Sequence, residues 1–274
     1  MDAPAMLQNL NFSPCGTRTG CELCSLFELC LPTDLEENQL MQIDELIQHK
    51  RLIKRGSYAF RAGEPLRSLF VVRAGSFKTT VLHDDGREQV TGFYMPGEIM
   101  GLDGISSDFH TANSVALEDS ELCELPYDEL ESLVREIPSL QRHFHRIMSR
   151  EIVRDHGVML LLGAMSAEER IATFLLQLSK RYAARGYSAS SFCLRMTRGE
   201  IGSYLGLTIE TVSRVFSRLQ DEGFINAEKR DVYLKDIPGL RKLIGSNDAS
   251  VVKSARRAGR EDARAERLRA LASF

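Results

Sequence analysis

The segment CELCSLFELC places Cys21, Cys24 and Cys30 within ten residues of a chain that has six cysteines. Clustered thiolates bind zinc or iron–sulfur clusters, and both kinds of site usually take four protein ligands. One ligand is therefore missing, and the remaining candidates are Cys15, Cys123 and Cys193. Structural zinc sites usually combine two closely spaced cysteine pairs, so a single pair favours an iron–sulfur cluster. The spacing alone selects neither the type of cluster nor the fourth ligand.

Length and composition predict an ordinary globular protein of two domains with appendages. The chain has 274 residues, of which 43% are hydrophobic and 27% charged. No apolar run approaches the roughly 18 residues that a membrane span needs. The N-terminus lacks the basic start and apolar stretch of a secretory signal. We therefore expect a cytoplasmic protein without a membrane partner, in a compartment that keeps thiols reduced.

The charge distribution limits where a nucleic acid could bind. The net charge is −3, and residues 253–274 alone carry +4, which leaves −7 on residues 1–252. The overall field therefore does not attract nucleic acid, and any DNA contact must come from a local basic patch.

Residues 50–125 have the pattern of a compact β-domain. Glycines recur between short strand-like runs such as SLFVVR, SFKTTVLH and EQVTGFY. Evenly spaced short strands with glycine turns are typical of a barrel or jelly roll. Asp85-Gly86 is a strong hairpin signal between two of these strands.

A long amphipathic helix is predicted from Pro138 onward. Its apolar residues recur near a spacing of 3.5 over about 24 residues; they are Leu140, Phe144, Ile147, Ile152, Met159 and Leu162. Such a stripe suits a parallel dimer. The alternative is a helix that packs on its own β-domain. Asp155 and His156 interrupt the stripe and should weaken it.

The segment 166–234 predicts a helix-turn-helix with a wing. A capping box at Ser166–Glu169 starts one helix, and Thr197 with Glu200 starts a short second helix. Gly206 supplies a turn, and Thr208 caps a helix that runs to Gly223. Two helices of these lengths joined by a glycine turn are the helix-turn-helix signature. FINAEKRDVYL then alternates like a β-hairpin.

The second of these helices carries candidate DNA-contacting residues. We expect a buried stripe of Val212, Val215, Phe216 and Leu219, which leaves Glu210, Thr211, Ser213, Arg214 and Ser217 facing outward. Arginine can pair with guanine, glutamate with cytosine, and serine with either. The alternative is that Glu210 and Arg214 form an ordinary i,i+4 ion pair. The candidates for phosphate contacts are Arg198, Arg218, Lys229 and Arg230.

Together these motifs resemble the fumarate-and-nitrate-reduction regulators (FNR), the oxygen-sensing branch of the cyclic-AMP receptor protein superfamily. The resemblance extends over about residues 12–245. It is carried by the cysteine spacing and by TRGEIGSYLGLTIETVSR, and VTGF, LEDSELCELP and ERIATFLLQLSKR also resemble family segments. It implies an α+β fold with an antiparallel β-roll of the cyclic-nucleotide-binding kind, a long dimerisation helix and a C-terminal winged helix-turn-helix domain. We expect a cysteine-rich region at 1–34, the β-roll at 35–137, the dimerisation helix at 138–164, the DNA-binding domain at 165–245 and a basic tail at 246–274.

The resemblance also implies roles for individual residues. The ligands of an oxygen-labile [4Fe–4S] cluster would be Cys21, Cys24, Cys30 and Cys123. Cys15 and Cys193 match no ligand position, and we interpret them as a bystander and a core thiol. The DNA-recognising residues of the family fall on Glu210, Ser213 and Arg214, and its dimer-helix residues on Ile152 and Asp155. A homodimer would bind a two-fold symmetric promoter site and contact RNA polymerase, as an activator or a repressor.

One departure from the wider superfamily concerns its nucleotide pocket. Members that bind cyclic AMP use a Glu and an Arg-Ser pair, where this chain has Leu102 and His110-Thr111. A buried phosphate without its arginine would be unpaired and costly, so no cyclic nucleotide is expected. The alternative hypothesis is a nucleotide-responsive regulator whose cysteines hold structural zinc. An enzyme has little support, because the chain has no phosphate loop, His-rich metal motif or nucleophile–base pair.

Overall fold

The computed structural model describes residues 21, 24–47 and 50–245. Cys15, the rest of the N-terminal region before Cys21 and the basic tail 246–274 lie outside the described residues. The first two elements are the short helix α1 (Phe27–Cys30) and helix α2 (Glu37–Leu46). Glu36 and Gln39 form a reciprocal capping box, which fixes the start of α2 shortly after Cys30.

Eight strands form the predicted β-roll as two antiparallel four-stranded sheets. The first sheet has the order β1 (Lys50–Ile53), β8 (Ser120–Pro126), β3 (Ser68–Ala74) and β6 (Ile99–Met100). The second has the order β2 (Tyr58–Phe60), β7 (Asn113–Ala116), β4 (Phe77–Leu82) and β5 (Glu88–Tyr94). Inward-facing residues of both sheets pack together, and Phe77, Val72 and Leu122 are completely buried. The alternation along each strand therefore builds one core between the sheets.

Glycine turns close the roll where the sequence predicted them. Gly86 has a φ of 84° in the hairpin between β4 and β5, a value that favours glycine. Gly75 has a φ of 85°, and a Cβ added there would lie 2.8 Å from the backbone Cα of Ser120. Only glycine allows the chain to approach β8 this closely.

Helix α3 (Tyr127–Glu136) leads to the long helix α4 (Pro138–Ala164), which has 27 residues. Pro138 stands at its start, where a missing N–H costs nothing. Leu140 is buried, and Phe144 and Ile147 pack against the β-roll core of the same chain. In the second half, Ile152 and Met159 are 56% and 67% exposed, whereas Leu161 is buried in the core that contains the DNA-binding part. Leu140, Phe144 and Ile147 thus pack within their own chain, as the alternative expects, and a dimer contact through Ile152 and Met159 stays a prediction.

The C-terminal part has the elements of a winged helix-turn-helix. They are α5 (Ala167–Ala183), β9 (Ser191–Cys193), α6 (Arg198–Leu205), α7 (Ile209–Asp221), β10 (Ile225–Glu228) and β11 (Asp231–Leu234), and residues 237–245 are also helical. Both predicted capping boxes are present, at Ser166 and at Thr197. Helix α7 ends at Asp221, two residues before Gly223, which has a φ of 79°. Within the described ranges, no helix has the length and apolar character needed to span a bilayer.

Candidate metal centre and nucleic-acid interface

The turn between α6 and α7 fixes the presentation of α7. Gly206 adopts the left-handed conformation with a φ of 62°. A Cβ on Gly202 would lie 2.6 Å from the carbonyl oxygen of Leu207, so this close crossing also requires glycine. Thr208 then caps α7, its hydroxyl accepting a hydrogen bond from the N–H of Thr211 at 3.2 Å. The predicted turn chemistry is therefore confirmed.

The buried and exposed faces of α7 separate as predicted. Its buried residues are Val212, Val215, Phe216 and Leu219. Glu210, Ser213 and Arg214 are exposed. The Nη2 of Arg214 donates to the Thr211 hydroxyl at 3.3 Å, and the ion pairs found in residues 50–245 do not include one between Glu210 and Arg214. The simple i,i+4 alternative is thus not adopted, and both charged ends are available to a ligand.

Two of the four predicted phosphate-contacting residues are held by other parts of the protein. The guanidinium of Arg198 stacks on Phe216 at 3.3 Å from the ring centroid, and its Nη1 has no hydrogen-bond partner. Burial lowers the pKa of Arg198 to about 10. Arg218 pairs with Glu168 and, at 2.9 Å, with Glu222. The Nη1 of Arg198 is therefore buried and unpaired, whereas the exposed Arg218 takes part in two ion pairs.

Lys229 and Arg230 lie at the tip of the wing between β10 and β11. Both are exposed, and Lys229 has a φ of 53°, in the left-handed region. This tight turn presents both side chains to solvent at one end of the hairpin.

The four cysteines implied by the resemblance come together beside the β-roll. Cys123 lies within β8, opposite Lys50 of β1 and Val71 of β3. Cys24 and Cys123 each interact electrostatically with the other three thiols, and all four are half-buried and free of disulfides. Residues separated by about 100 positions in sequence are thus neighbours in the fold.

The surroundings of these thiols oppose a negative charge on sulfur. Burial, reinforced by Asp44, raises the pKa of Cys21 well above its usual range. Burial and the neighbouring thiols raise the pKa of Cys30 to about 12, and burial raises that of Cys123 to about 11. Among the residues described, no three His, Cys, Asp or Glu side chains already lie close enough to share a metal ion. Ligation would therefore need both a compensating positive charge and a small rearrangement of side chains.

The donor chemistry fits an iron–sulfur cluster. Four thiols of one kind, brought together in a partly desolvated place, are the ligand set of a [4Fe–4S] cluster. Cations stand close by, because Arg185 acts on Cys30 while Arg73 and Lys50 act on Cys123, in each case lowering the thiol pKa. Positive side chains of this kind stabilise the net negative charge of a thiolate-ligated cluster.

Sequence reasoning missed the contacts that hold residue 21 and residues 24–34, here called the cysteine segment. The backbone N–H of Cys21 donates to Asp44 of α2 at 2.6 Å. Leu29 packs against Gly97, where an added Cβ would lie 3.0 Å from the Leu29 Cβ. The backbone carbonyl of Cys30 is hydrogen-bonded to His143 of α4. Nothing in the local sequence signals these partners, because each lies in a distant element.

Cys193 differs from its predicted role as a core thiol. It ends β9, pairs in register with Asp231, and is only half-buried. Burial, together with Asp231, raises its pKa. It lies on the DNA-binding part of the chain and contributes nothing to the group of four.

The place of the superfamily's nucleotide arginine is filled by a buried ring. His110 is 4% exposed and stacks on Phe60 with ring centroids 3.9 Å apart. Its Nδ1 lies 3.5 Å from one carboxylate oxygen of Asp103, and the other oxygen of Asp103 accepts from the N–H of Thr111 at 2.7 Å. Leu102 packs into the apolar core. Asp103 therefore accepts hydrogen bonds from the backbone N–H groups of Thr111 and Ala112 beside this ring.

Comparison with known families gives two matches. Residues 50–136 match the cyclic nucleotide-binding domain, and residues 169–243 match the Crp-like helix-turn-helix domain. The FixK2 structure from Bradyrhizobium japonicum is similar to this chain with a TM-score of 0.66 and 30% identity, and the match covers 71% of this chain and 96% of that one.

Proteins from several bacteria are similar over most of their length. The transcriptional regulatory protein btr of Bordetella pertussis is 48% identical over 82% of this chain and 93% of its own. The transcriptional activator protein anr of Pseudomonas aeruginosa is 46% identical over 82% and 92%, respectively. An anaerobic regulatory protein of Pasteurella multocida is 42% identical over 86% of each chain. The protein therefore belongs to the FNR type of the cyclic-AMP receptor protein superfamily, a group of DNA-binding transcription regulators rather than enzymes.

Proposed function

We propose that this protein is an oxygen-responsive regulator of genes for anaerobic metabolism, acting in the cytoplasm. The observation that supports this most strongly is the meeting of Cys21, Cys24, Cys30 and Cys123 beside the long helix α4. These four thiols would hold a [4Fe–4S] cluster, which when bound would supply the reactivity toward oxygen. Cys15, outside the described residues, and Cys193 would not be ligands.

Contacts of the cysteine segment with α4 support an influence of the cluster on dimerisation. Cys21 and Leu31 belong to the same apolar cluster as Phe144 and Ile147 of the first half of α4. Asp34 lies 3.7 Å from Arg142 on that helix. Ordering the cysteine segment would therefore fix the first half of α4, and the exposed second half would meet a second copy.

Asp155 would weaken this dimer. It is exposed on the same half of α4 as Ile152 and Met159. In a parallel dimer two such carboxylates would lie near each other, and their repulsion would keep the protein close to the balance between monomer and dimer. A shift of about 2–3 kcal/mol on ligation would then move most of the population.

The dimer would bind a two-fold symmetric promoter site with one α7 in each half-site. Glu210, Ser213 and Arg214 would contact base edges, with Thr211 beside them. Arg198 would contact a phosphate only after its guanidinium leaves Phe216, because its Nη1 is buried in this structure. Arg218 remains a weaker phosphate candidate because it is paired. RNA polymerase would be the further partner through which transcription is activated or blocked.

Iron content tests the ligand assignment directly. Each of Cys21, Cys24, Cys30 and Cys123 is changed singly to serine, with Cys193→Ser as the matched control, and all proteins are purified without oxygen. We expect about four iron and four sulfide per chain in the wild type and the control, and loss of most iron in each of the four variants. Circular dichroism verifies that the variants fold. Full iron in the Cys123→Ser variant would contradict the assignment, and tightly bound zinc in a colourless wild type would favour a structural zinc site.

A further inference from the structure

Strand β5 is the edge of its sheet, and helix α6 covers that edge. The hydroxyl of Ser203 on α6 accepts a hydrogen bond from the N–H of Val90 at 2.9 Å and donates to the carbonyl of Glu88 at 3.4 Å. The side chain of Gln89 donates to the backbone carbonyl of Ser203. One serine thus satisfies edge groups that a neighbouring strand would otherwise pair.

An ion pair and an aromatic cluster extend this contact. Lys78 of β4 lies 3.0 Å from Glu200 of α6, and both side chains are at least four-fifths buried. Phe93 of β5 meets Tyr204 of α6 edge-to-face at 5.2 Å, and Phe174 of α5 at 6.1 Å. Phe93 and Val90 therefore belong to the same apolar core as the DNA-binding domain.

The same strand also contacts the long helix. Arg154 of α4 donates to the hydroxyl of Tyr94 at 3.0 Å and lies over its ring at 4.7 Å. The last residue of β5, Tyr94, therefore contacts α4, and Val90 in the middle of the strand contacts α6. A rigid strand that touches both helices fixes the direction of α6, and of the attached α7, relative to α4.

We propose that β5 is a positioning element for DNA recognition, which sets the separation and the relative rotation of the two α7 helices in the dimer. This inference rests on the proposed dimer on a two-fold symmetric site. Neither Ser203 nor Lys78 needs to touch DNA for this role. Their effect would be on the spacing of half-sites that the protein accepts, because each added base pair moves one half-site by about 3.4 Å and turns it by about 34°.

The test uses full-length protein purified without oxygen and a panel of DNA duplexes. The duplexes carry two identical half-sites whose separation differs from the preferred one by zero, one or two base pairs. The variant is Ser203→Ala with Lys78→Met, which removes the hydroxyl bridge and the ion pair but leaves the Glu200 cap intact. The control is Ser179→Ala with Lys180→Met, the same two changes on α5, where the Ser179 hydroxyl bonds only to Ala189 within its own domain.

We expect the ratio of the affinities for the preferred and the shifted separations to be about tenfold smaller in the variant than in the wild type. Two weakened hydrogen bonds would have an effect of about this size. Base preferences within one half-site should not change, and the control should behave as the wild type. A variant with the wild-type spacing profile would overturn the inference and leave the proposed function intact. A wild-type protein indifferent to spacing would contradict the dimer itself.

Amide hydrogen exchange provides a second measurement that does not depend on DNA. The N–H of Val90 should exchange faster in the variant than in the wild type and the control, because its acceptor is gone. Unchanged protection of Val90 would show that Ser203 does not hold this edge, and would overturn the inference.

Discussion

The change Glu98→Gln should destabilise the protein strongly, because Glu98 joins the β-roll to Arg181 of α5 and to Arg185 just after that helix. Its carboxylate lies 3.0 Å from Nε of Arg181 and 2.6 Å from Nη2 of Arg185. Arg185 is 5% exposed and Glu98 20%. Burial raises the pKa of Glu98, but Arg181 and Arg185 outweigh burial and hold it below the ordinary value.

The expected loss of stability follows from the two arginine side chains that the substitution leaves without a counter-charge. Glutamine keeps the shape but leaves two largely buried guanidinium groups without a counter-charge, and breaking such a pair costs about 3 kcal/mol. With a urea m-value of about 3 kcal/mol per molar, the midpoint of unfolding should fall by about 1 M. The chain has no tryptophan, so far-ultraviolet circular dichroism is the suitable signal.

A matched control and the pH dependence test this prediction further. Glu131→Gln removes an exposed i,i+4 pair with Arg135 and should cost no more than about 0.5 kcal/mol. The folded-state pKa of Glu98 is lowered. Its contribution to the free energy of unfolding is therefore complete at pH values above its ordinary pKa of 4.5 and is lost as the pH falls below that pKa. The difference between wild type and Glu98→Gln should therefore shrink in acid. Equal losses of stability for Glu98→Gln and Glu131→Gln would show that Glu98 does not hold the two arginines.

Three further changes test the proposed function. Asp155→Ala should give dimers that bind DNA in air, because the inter-subunit repulsion is gone, and sedimentation showing only monomers would contradict this. Arg214→Ala should cost about 1–3 kcal/mol at one base position of the half-site, measured by competition with single-base variants, whereas an equal loss on scrambled DNA would reassign Arg214 to a phosphate. Deleting residues 250–274 should leave specific binding within tenfold of the wild type in a titration at fixed salt, and a larger loss would show that the tail contributes.

Local patterns predicted the DNA-binding part well. The caps at Ser166, Thr197 and Thr208 involve residues three apart, and the burial of α7 follows from its own periodicity. Such features depend on neighbours in sequence, so they are visible before the fold is known. The glycine hairpin at Gly86 is predictable for the same reason.

Contacts between distant elements could not be predicted in this way. Glu98, Arg181 and Arg185 are each unremarkable in sequence, and only folding brings them together. The stripe on α4 gave the period of the helix but not which of its residues pack within the chain, because Leu140 and Met159 are both apolar. Cys123 as a partner of the cysteine segment came from the resemblance, since it stands 93 residues after Cys30.

The central claim is that the four cysteines make this regulator responsive to oxygen. The most direct measurement follows the visible absorption spectrum and the sedimentation of anaerobically purified protein together while air is added. We predict a brown protein with a broad band near ~400 nm, as expected for iron–sulfur ligation by four thiolates, that bleaches as dimers dissociate. A colourless protein whose association state and DNA binding do not change in air would contradict it.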